Sequence, residues 1–185
     1  MAPDDAARAA LGSLLGEIEA AAPDAARALR WTPVPNIHLT LHFLGNLDDV
    51  RQAAIRSHLN DPLAVAPFDL TLGELGTFPP SGPPRILWIA VREGRQQVTA
   101  IHQELAVRVR AAGLQVEDRP FSPHLTLGRV RDAERQRARR LASGLNRVQI
   151  PPVTWHVGDV TLYYSDLSGP APRYEAVQRV ALRLK

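Results

Sequence analysis

Two stretches of the sequence decide the fold: NIHLTLHFLG at residues 36–45 and FSPHLTLGR at residues 121–129. Both contain the tetrapeptide His-Leu-Thr-Leu, once in each half of the chain. Each is a short apolar run flanked by turn-forming residues, a pattern that is typical of buried β-strands. We therefore predict motif strands at about 37–44 and 124–130, in corresponding places of two similar halves.

Each motif strand presents an imidazole beside a hydroxyl, because residues two apart in a strand point to the same face. His38 and Thr40 share one face of the first motif strand. His124 and Thr126 share one face of the second, and the leucines between them point into the core. A single His-x-Thr is more often a satisfied structural histidine than a site. Two matched copies favour a site in which both strands face one ligand.

This set of groups suits the cleavage of a phosphodiester without a metal ion. One neutral imidazole can take a proton from water, and the other, protonated, can give a proton to the departing alkoxide. A reference pKa near 6.5 lets both forms exist close to neutral pH. The threonine hydroxyls can donate hydrogen bonds to the non-bridging phosphate oxygens, where the transition state holds negative charge. We expect an enzyme with no cofactor and no metal.

The rest of the chain alternates helical and strand periodicities. This order predicts an α+β fold with two similar halves. Besides the motif strands, we predict helices at 4–22, 48–59, 95–112 and 132–143, and strands at 68–75, 86–91, 153–157, 159–165 and 174–184.

Composition sets limits on location and chemistry. The chain has no cysteine, which excludes disulfides and thiolate zinc sites and makes a cytoplasmic location natural. No run approaches the ~20 apolar residues of a membrane span, and the acidic start MAPDD does not suit a signal peptide. The net charge is +3, and Lys185 is the only lysine. We attribute the arginine bias mainly to genome composition and less to phosphate binding.

Several other residues have two interpretations. His42 shares a face with His38, but four strand residues span ~13 Å, so the two cannot hold one metal; His42 either lines the groove or is a partly exposed histidine. A run of arginines suits a solvated helix face better than an RNA-binding rim. We predict solvated or packed histidines at 58, 102 and 156, core positions for Phe43 and Trp88, and leave Tyr163 and Tyr174 open; the arginine run is 129, 131, 135, 137, 139 and 140.

The motifs resemble those of the two-histidine phosphoesterase superfamily. The segments NIHLTLHFLGNL, FSPHLTLGRV and LYYSDLSGPAPRYEAV are similar to bacterial 2′-5′ RNA ligase-like proteins, the RNA 2′,3′-cyclic phosphodiesterases. The resemblance implies that residues 1–185 form a single two-lobed, pseudo-symmetric α+β domain. Each lobe would be an antiparallel sheet backed by helices, with the active-site groove between the lobes.

The resemblance also implies a function in RNA processing. A terminal 2′,3′-cyclic phosphate would be opened to a 2′-phosphate, with a minor reverse reaction that joins RNA ends through a 2′-5′ linkage. It makes His38 and His124 the catalytic pair, with His124 expected as base and His38 as acid. Thr40 and Thr126 would bind the phosphate, and Arg129 matches a basic residue that follows the family's second motif. We expect a monomer acting on RNA ends or nucleoside 2′,3′-cyclic phosphates, with no obligate protein partner and no membrane.

Two other functions fit the same residues. The substrate could be a small cyclic nucleotide or an ADP-ribose cyclic phosphate. Alternatively, the chain could bind RNA ends without turnover, although the presence of both histidines and both threonines argues against this.

The sequence departs from the family at its start, since the family usually begins with a strand before its first helix. Either translation starts further upstream or one strand of the sheet is absent, which would leave an exposed sheet edge. We hypothesise an in-frame upstream start that encodes a short apolar strand. An upstream stop codon, with no codons for such a strand, would refute this hypothesis.

Overall fold

The computed structural model describes residues 1–139, 141–166, 168–169 and 172–183, except for the side chains of residues 142 and 143. No helix in this part of the chain has the length and apolar composition that a membrane crossing needs. The helices are α1 (Asp5–Ala21), α2 (Pro23–Ala26), α3 (Asp49–His58), α4 (Arg95–Ala111), α5 (Arg135–Ala138) and α6 (Leu141–Leu145), with 3₁₀ turns at Val34–Asn36 and Asp132–Glu134. The strands are β1 (Leu29–Trp31), β2 (Phe68–Phe78), β3 (Ile86–Glu93), β4 (His124–Val130), β5 (Thr154–Val157), β6 (Asp159–Asp166) and β7 (Arg173–Ala181).

The three long helices begin and end close to their predicted bounds, because the local signals that set helix ends are present. The Asp4 carboxylate accepts a hydrogen bond from the Ala7 N–H at 2.8 Å and caps α1. Asp48 caps α3 in the same way, accepting from the Arg51 N–H at 2.8 Å. Helix α4 stops just before Gly113, whose φ of 76° lies in the left-handed region that glycine adopts freely.

Five of the strands form an antiparallel sheet in the order β1-β4-β3-β2-β5. One face of this sheet is buried, as Leu87 and Ile89 of β3 and Leu125 and Leu127 of β4 are fully enclosed. Helix α6 contacts β2, and α1 contacts both α6 and β5. The helices therefore cover one face, and the opposite face carries the motif residues of β4.

The remaining two strands, β6 and β7, form a separate antiparallel sheet. Leu63 bridges Leu182 just after β7, and Gln178 of β7 donates a hydrogen bond to the Arg56 carbonyl of α3 at 3.3 Å. Helix α3 contacts α4 in turn. The predicted α+β class with antiparallel sheets and helices is confirmed, but the two sheets are unequal in size.

The predicted strand at 37–44 is wrong. Only Leu39 is paired there, in an isolated antiparallel bridge to Leu125. The backbone N–H and C=O of Leu39 exchange 2.9 Å hydrogen bonds with Met1. The other correction concerns Phe43, which is 76% exposed and not in the core. An apolar run indicates that a segment is buried. A β-strand also needs a hydrogen-bonding neighbour along its whole length, and the segment 37–44 has such a neighbour only at Leu39.

The continuous helix predicted at 132–143 is also wrong. The structure has a 3₁₀ turn, α5 and α6 in its place, and residue 140 lies outside the described residues. The first two pieces have no side-chain cap at their start. Ala138 and Leu141 are both fully buried, so the short pieces are held by packing and not by helix propensity alone.

Candidate active site

The two His-Leu-Thr-Leu motifs meet through their central leucines. Leu39 and Leu125 form the antiparallel bridge, and both are fully buried. The two residues hold the same position in their motifs. An antiparallel pair that joins equivalent residues has a local two-fold axis between its strands, so the bridge relates one motif to the other by a half turn.

The functional groups of both motifs lie on the face opposite these leucines. The antiparallel register sets His38 across from Thr126. By the same register, Thr40 lies across from His124. All four side chains are half-buried. The structure therefore brings the predicted imidazoles and hydroxyls together, and their catalytic and phosphate-binding roles stay predictions.

The imidazole of His38 is fixed at both nitrogens. Its Nδ1 lies 2.8 Å from the Asn36 carbonyl oxygen, and its Nε2 lies 3.0 Å from Thr40 Oγ1. A carbonyl can only accept, so Nδ1 carries the hydrogen and donates it. The Nε2 of the neutral ring then has a free lone pair, and the Thr40 hydroxyl donates to it. Burial lowers the pKa of His38, which favours this neutral form.

The imidazole of His124 has the same orientation. Its Nδ1 donates to the Ser122 carbonyl oxygen at 2.7 Å, again two residues upstream. Its Nε2 is therefore the atom available for proton transfer. The first motif has an additional support, since the Asn36 side chain donates to the Pro172 carbonyl at 2.8 Å and ties it to the loop before β7. In both motifs Nδ1 is hydrogen-bonded to a backbone carbonyl and Nε2 is not.

Aromatic rings contact each histidine edge-on. Phe78 and Trp88 lie 5.3 Å and 6.1 Å from the His124 ring, centroid to centroid, and stack on each other at 5.0 Å. Tyr174 of β7 lies 5.0 Å from the His38 ring. The prediction of a core position for Trp88 is wrong, because it is half-buried on the site face. The alternation in ILWIAV, with Leu87 and the next alternate residues pointing inward, was the signal that places it there.

Arg129 reaches the site face because β4 carries a bulge. In a regular strand a residue three positions after Thr126 would point to the opposite face. Thr126 pairs with Trp88 of β3, and Arg129 pairs with Ile86, only two residues away, so β4 uses one residue more than β3. Arg129 thereby returns to the face of Thr126, about 7 Å further along. Its side chain is exposed, and its contact with phosphate stays a prediction.

Comparison with known proteins identifies the family. A family model described as the 2′-5′ RNA ligase superfamily matches residues 3–169. The chain belongs to this superfamily. Among its relatives, the RNA 2′,3′-cyclic phosphodiesterase of Escherichia coli K12 is 30% identical over 151 residues, which is 80% of this chain and 76% of that protein. The Aquifex aeolicus protein of the same name is 27% identical over 155 residues, 83% of this chain and 81% of that protein.

Solved structures agree with the superfamily assignment. E. coli LigT complexed with 3′-AMP superposes with a TM-score of 0.65 at 26% identity, covering 92% of this chain and 91% of that one. A Thermus thermophilus protein superposes with a TM-score of 0.69 at 24% identity, covering 97% and 93%. The second likeness shows the fold alone. The two structures confirm the predicted α+β architecture, and the family model confirms the predicted superfamily.

His42 packs against helix α4 and not against the His38–Thr40 pair. Its ring stacks on His102 of α4 at 4.2 Å, and His102 stacks on Phe121 at 3.9 Å. Its Nε2 donates to the His102 carbonyl at 2.9 Å. Burial, and then the neighbouring His42, lower the pKa of His102 to about 4. The stack joins the end of the first motif to the loop before the second, so His102 is a packed histidine, as predicted.

The other predicted histidines and the arginines of the run have local partners or face solvent. His58 is exposed, and His156 is exposed beside Asp69 at 2.9 Å. In the arginine run, Arg131 donates to the Arg27 carbonyl, and two others pair with acids of the preceding turn; those pairs are Arg135–Asp132 and Arg137–Glu134. These contacts favour the solvated-face interpretation. Arg140 lies outside the described residues. Within the described part of the chain, no three His, Asp or Glu side chains are grouped as metal ligands would be.

Proposed function

We propose that this protein is an RNA 2′,3′-cyclic phosphodiesterase that hydrolyses a terminal 2′,3′-cyclic phosphate to a 2′-phosphate. The observation that carries the proposal is the Leu39–Leu125 bridge, which sets two histidines and two threonines on one face. Relatives that cover most of this chain have this name, and a solved relative is complexed with the nucleotide 3′-AMP. A minor reverse reaction, joining RNA ends through a 2′-5′ linkage, uses the same groups.

The reaction assigns one proton transfer to each histidine. Nε2 of His124 accepts a proton from water as its oxygen bonds to phosphorus, and Nε2 of His38 donates a proton to O3′ as the P–O3′ bond breaks. The products are a 2′-phosphate and a free 3′-hydroxyl. The hydroxyls of Thr40 and Thr126 donate to the non-bridging oxygens, and Arg129 adds positive charge beside them.

The acid role requires His38 to be protonated when substrate is bound. Burial lowers the pKa of His38 in the substrate-free protein. A bound phosphate next to Nε2 acts in the opposite direction, because a negative charge within a few ångströms stabilises the imidazolium. We propose that phosphate binding protonates His38 and also draws the Thr40 hydroxyl away from Nε2 toward a phosphate oxygen.

The first test uses a nucleoside 2′,3′-cyclic monophosphate and a short RNA with the same terminal group, both in EDTA. We propose that no metal takes part, so we expect hydrolysis to the 2′-phosphate isomer to persist under chelation. Activity that is lost in EDTA and restored by added divalent metal would contradict this. Tight binding without turnover of either substrate would assign the chain to the RNA-end-binding alternative.

The same assay tests the catalytic pair. His38→Ala and His124→Ala should each reduce the rate by about 10²–10⁴, since each removes one proton-transfer group. His58→Ala is the matched control, because His58 is exposed on α3, away from both motifs. Wild-type rates in either motif variant, with the fold verified by circular dichroism, would end the paired acid–base mechanism.

The proposal includes the organisation of the whole chain. One cluster of buried apolar residues contains members from Met1 to Leu182, which supports one two-lobed unit over residues 1–185. We propose a monomer without an obligate protein partner, since the groups invoked for catalysis all come from one chain. A cytoplasmic location is proposed from the RNA substrate and the absence of cysteine.

A further inference from the structure

Two exposed arginines lie side by side beyond the second motif. Arg30 of β1 is the cross-strand partner of Arg129 of β4, and Arg129 is the partner of Ile86 of β3. Ile86 is paired in turn with Phe78, which contacts the His124 ring. Cross-strand partners share a face of the sheet. The row therefore lies on the site face, with Arg30 at its outer end.

This pair is unfavourable in the absence of a ligand. Like charges directly opposite each other in an antiparallel sheet repel. Both side chains are exposed, and no ion pair in the described part of the chain involves Arg30 or Arg129. An anion between the guanidinium groups would remove the repulsion and accept bidentate hydrogen bonds from each.

The position of the pair indicates which anion it would bind. The proposed mechanism places Thr126 at the cyclic phosphate. Arg129 lies about 7 Å from Thr126 along the sheet. Arg30 is one strand further from β3 than Arg129. Arg30 is therefore further from Thr126 than Arg129 is, beyond the position that the proposed mechanism gives to the cyclic phosphate. The next phosphate of a nucleic-acid chain, separated from the first by a sugar, has the required charge and separation.

We propose that Arg30 and Arg129 form a subsite for the phosphodiester on the 5′ side of the terminal nucleotide. The inference rests on the proposed function and adds a reason for preferring an RNA end. A nucleoside 2′,3′-cyclic monophosphate has no second phosphate and cannot use the subsite. Arg30 is thus a specificity-determining residue, and it does not touch the reacting atoms.

The test compares two dinucleotides that end in a 2′,3′-cyclic phosphate. One has a normal phosphodiester between its nucleosides, and the other has a methylphosphonate, which has nearly the same shape but no charge. The ratio of kcat/KM for the charged over the neutral dinucleotide measures the subsite. A nucleoside 2′,3′-cyclic monophosphate measures hydrolysis without it.

In the wild type we expect the charged dinucleotide to be preferred roughly tenfold or more, the value of one charge-assisted hydrogen-bonded contact. Arg30→Gln keeps a polar side chain but removes the charge, and should lower the ratio several-fold while hydrolysis of the mononucleotide stays at the wild-type rate; Arg129 retains the rest of the preference. Arg129→Gln should lower both the ratio and the hydrolysis of the mononucleotide. Arg110→Gln is the control, because Arg110 is exposed on α4.

A second measurement keeps the inference separate from the catalytic proposal. Equilibrium binding of the two dinucleotide 2′-phosphates, charged and neutral, requires no turnover. A charged-over-neutral ratio that is unchanged in Arg30→Gln, in both turnover and binding, would overturn the subsite. A wild type that hydrolyses none of the cyclic substrates would overturn the proposed function, and the binding ratio would still decide the subsite.

Discussion

At the residue scale, the orientation of each motif histidine is set by a carbonyl two positions upstream. Asn36 and Ser122 hold Nδ1 of His38 and His124, respectively, at 2.8 Å and 2.7 Å. Fixing Nδ1 as the donor leaves the lone pair of the neutral ring on Nε2, the nitrogen to which we assign proton transfer. The two rings differ in their other contacts. Thr40 Oγ1 hydrogen-bonds to Nε2 of His38, whereas Phe78 and Trp88 contact the ring of His124.

Replacing O3′ by sulfur in the cyclic phosphate separates the acid from the base. A thiolate leaves without protonation, because thiol pKa values are near ~8.5, far below those of alcohols. We therefore expect His38→Ala to recover much of its lost rate on the 3′-phosphorothiolate relative to the oxygen substrate. His124→Ala should stay slow on both substrates, because water still needs a base. The opposite pattern in initial rates would exchange the two roles.

The placement of the motif side chains could be predicted from the sequence where the signal was local. The period-two alternation places His38 with Thr40 and His124 with Thr126, and the repeated motif brings the pairs together. The neighbours of these residues depend on sheet register and could not be predicted. Arg30 is the clearest case, because only the pairing of β1 with β4 brings it beside Arg129.

At the element scale, one glycine of β2 makes room for the tryptophan ring of β3. A Cβ on Gly76 would lie 2.3 Å from Cζ2 of Trp88, so the indole ring lies directly over the β2 backbone. This packing also directs the ring toward His124. The absence of a Cβ at Gly76 of β2 thus determines where the indole ring of Trp88 on β3 can lie.

Gly76→Ala should destabilise the protein by about 1–3 kcal/mol and reduce kcat/KM, because the indole must move from its position beside His124. In a Trp88→Ala background the same substitution should cost less. Urea unfolding of the four proteins in this cycle measures the coupling, which we expect to be on the order of 1 kcal/mol or more. Additive effects would mean that the contact has no energetic weight.

Gly16→Ala is the matched control for that experiment. Gly16 lies in α1, and a Cβ there would meet nothing within 4 Å. Alanine should stabilise the helix by roughly 0.5–1 kcal/mol. The substitution should be additive with Trp88→Ala, since the two positions share no contact.

Element type followed from the sequence where caps and periodicity agreed, as in α1, α3 and α4. It failed where pairing decides the outcome. The three-residue strand β1 is too short to show alternation, and it exists because Leu29 to Trp31 pair with β4. The segment 37–44 has the composition of a strand but is paired only at Leu39.

At the scale of the whole molecule, we expect two histidines to contribute to the pH dependence of stability. Burial lowers the pKa of both His38 and His102, the latter to about 4. In the unfolded chain these groups protonate near ~6.5. Below that pH the unfolded state binds more protons than the folded state, so the free energy of unfolding should fall as the pH falls from about 6.5 toward 4.

Urea unfolding at pH 7.5, 6 and 5 measures this slope. His102→Phe preserves a ring between His42 and Phe121 but removes the titrating group, so the slope should become shallower. His58→Phe makes the same chemical change at an exposed position on α3 and should retain the wild-type slope. A slope unaffected by His102→Phe would show that the stack does not link protonation to folding.

The half-turn relation between the motifs affects which P–O bond of a cyclic phosphate would break. By microscopic reversibility, the group that protonates the departing oxygen in one direction deprotonates the incoming one in the other. A centre with this symmetry treats the two ester oxygens of a cyclic phosphate almost alike. We infer that regiochemistry, the choice of which oxygen leaves, comes from the unlike surroundings: Phe78 and Trp88 beside one imidazole and Tyr174 beside the other. In this mechanism the histidines would allow cleavage of either bond, and the aromatic residues would select one.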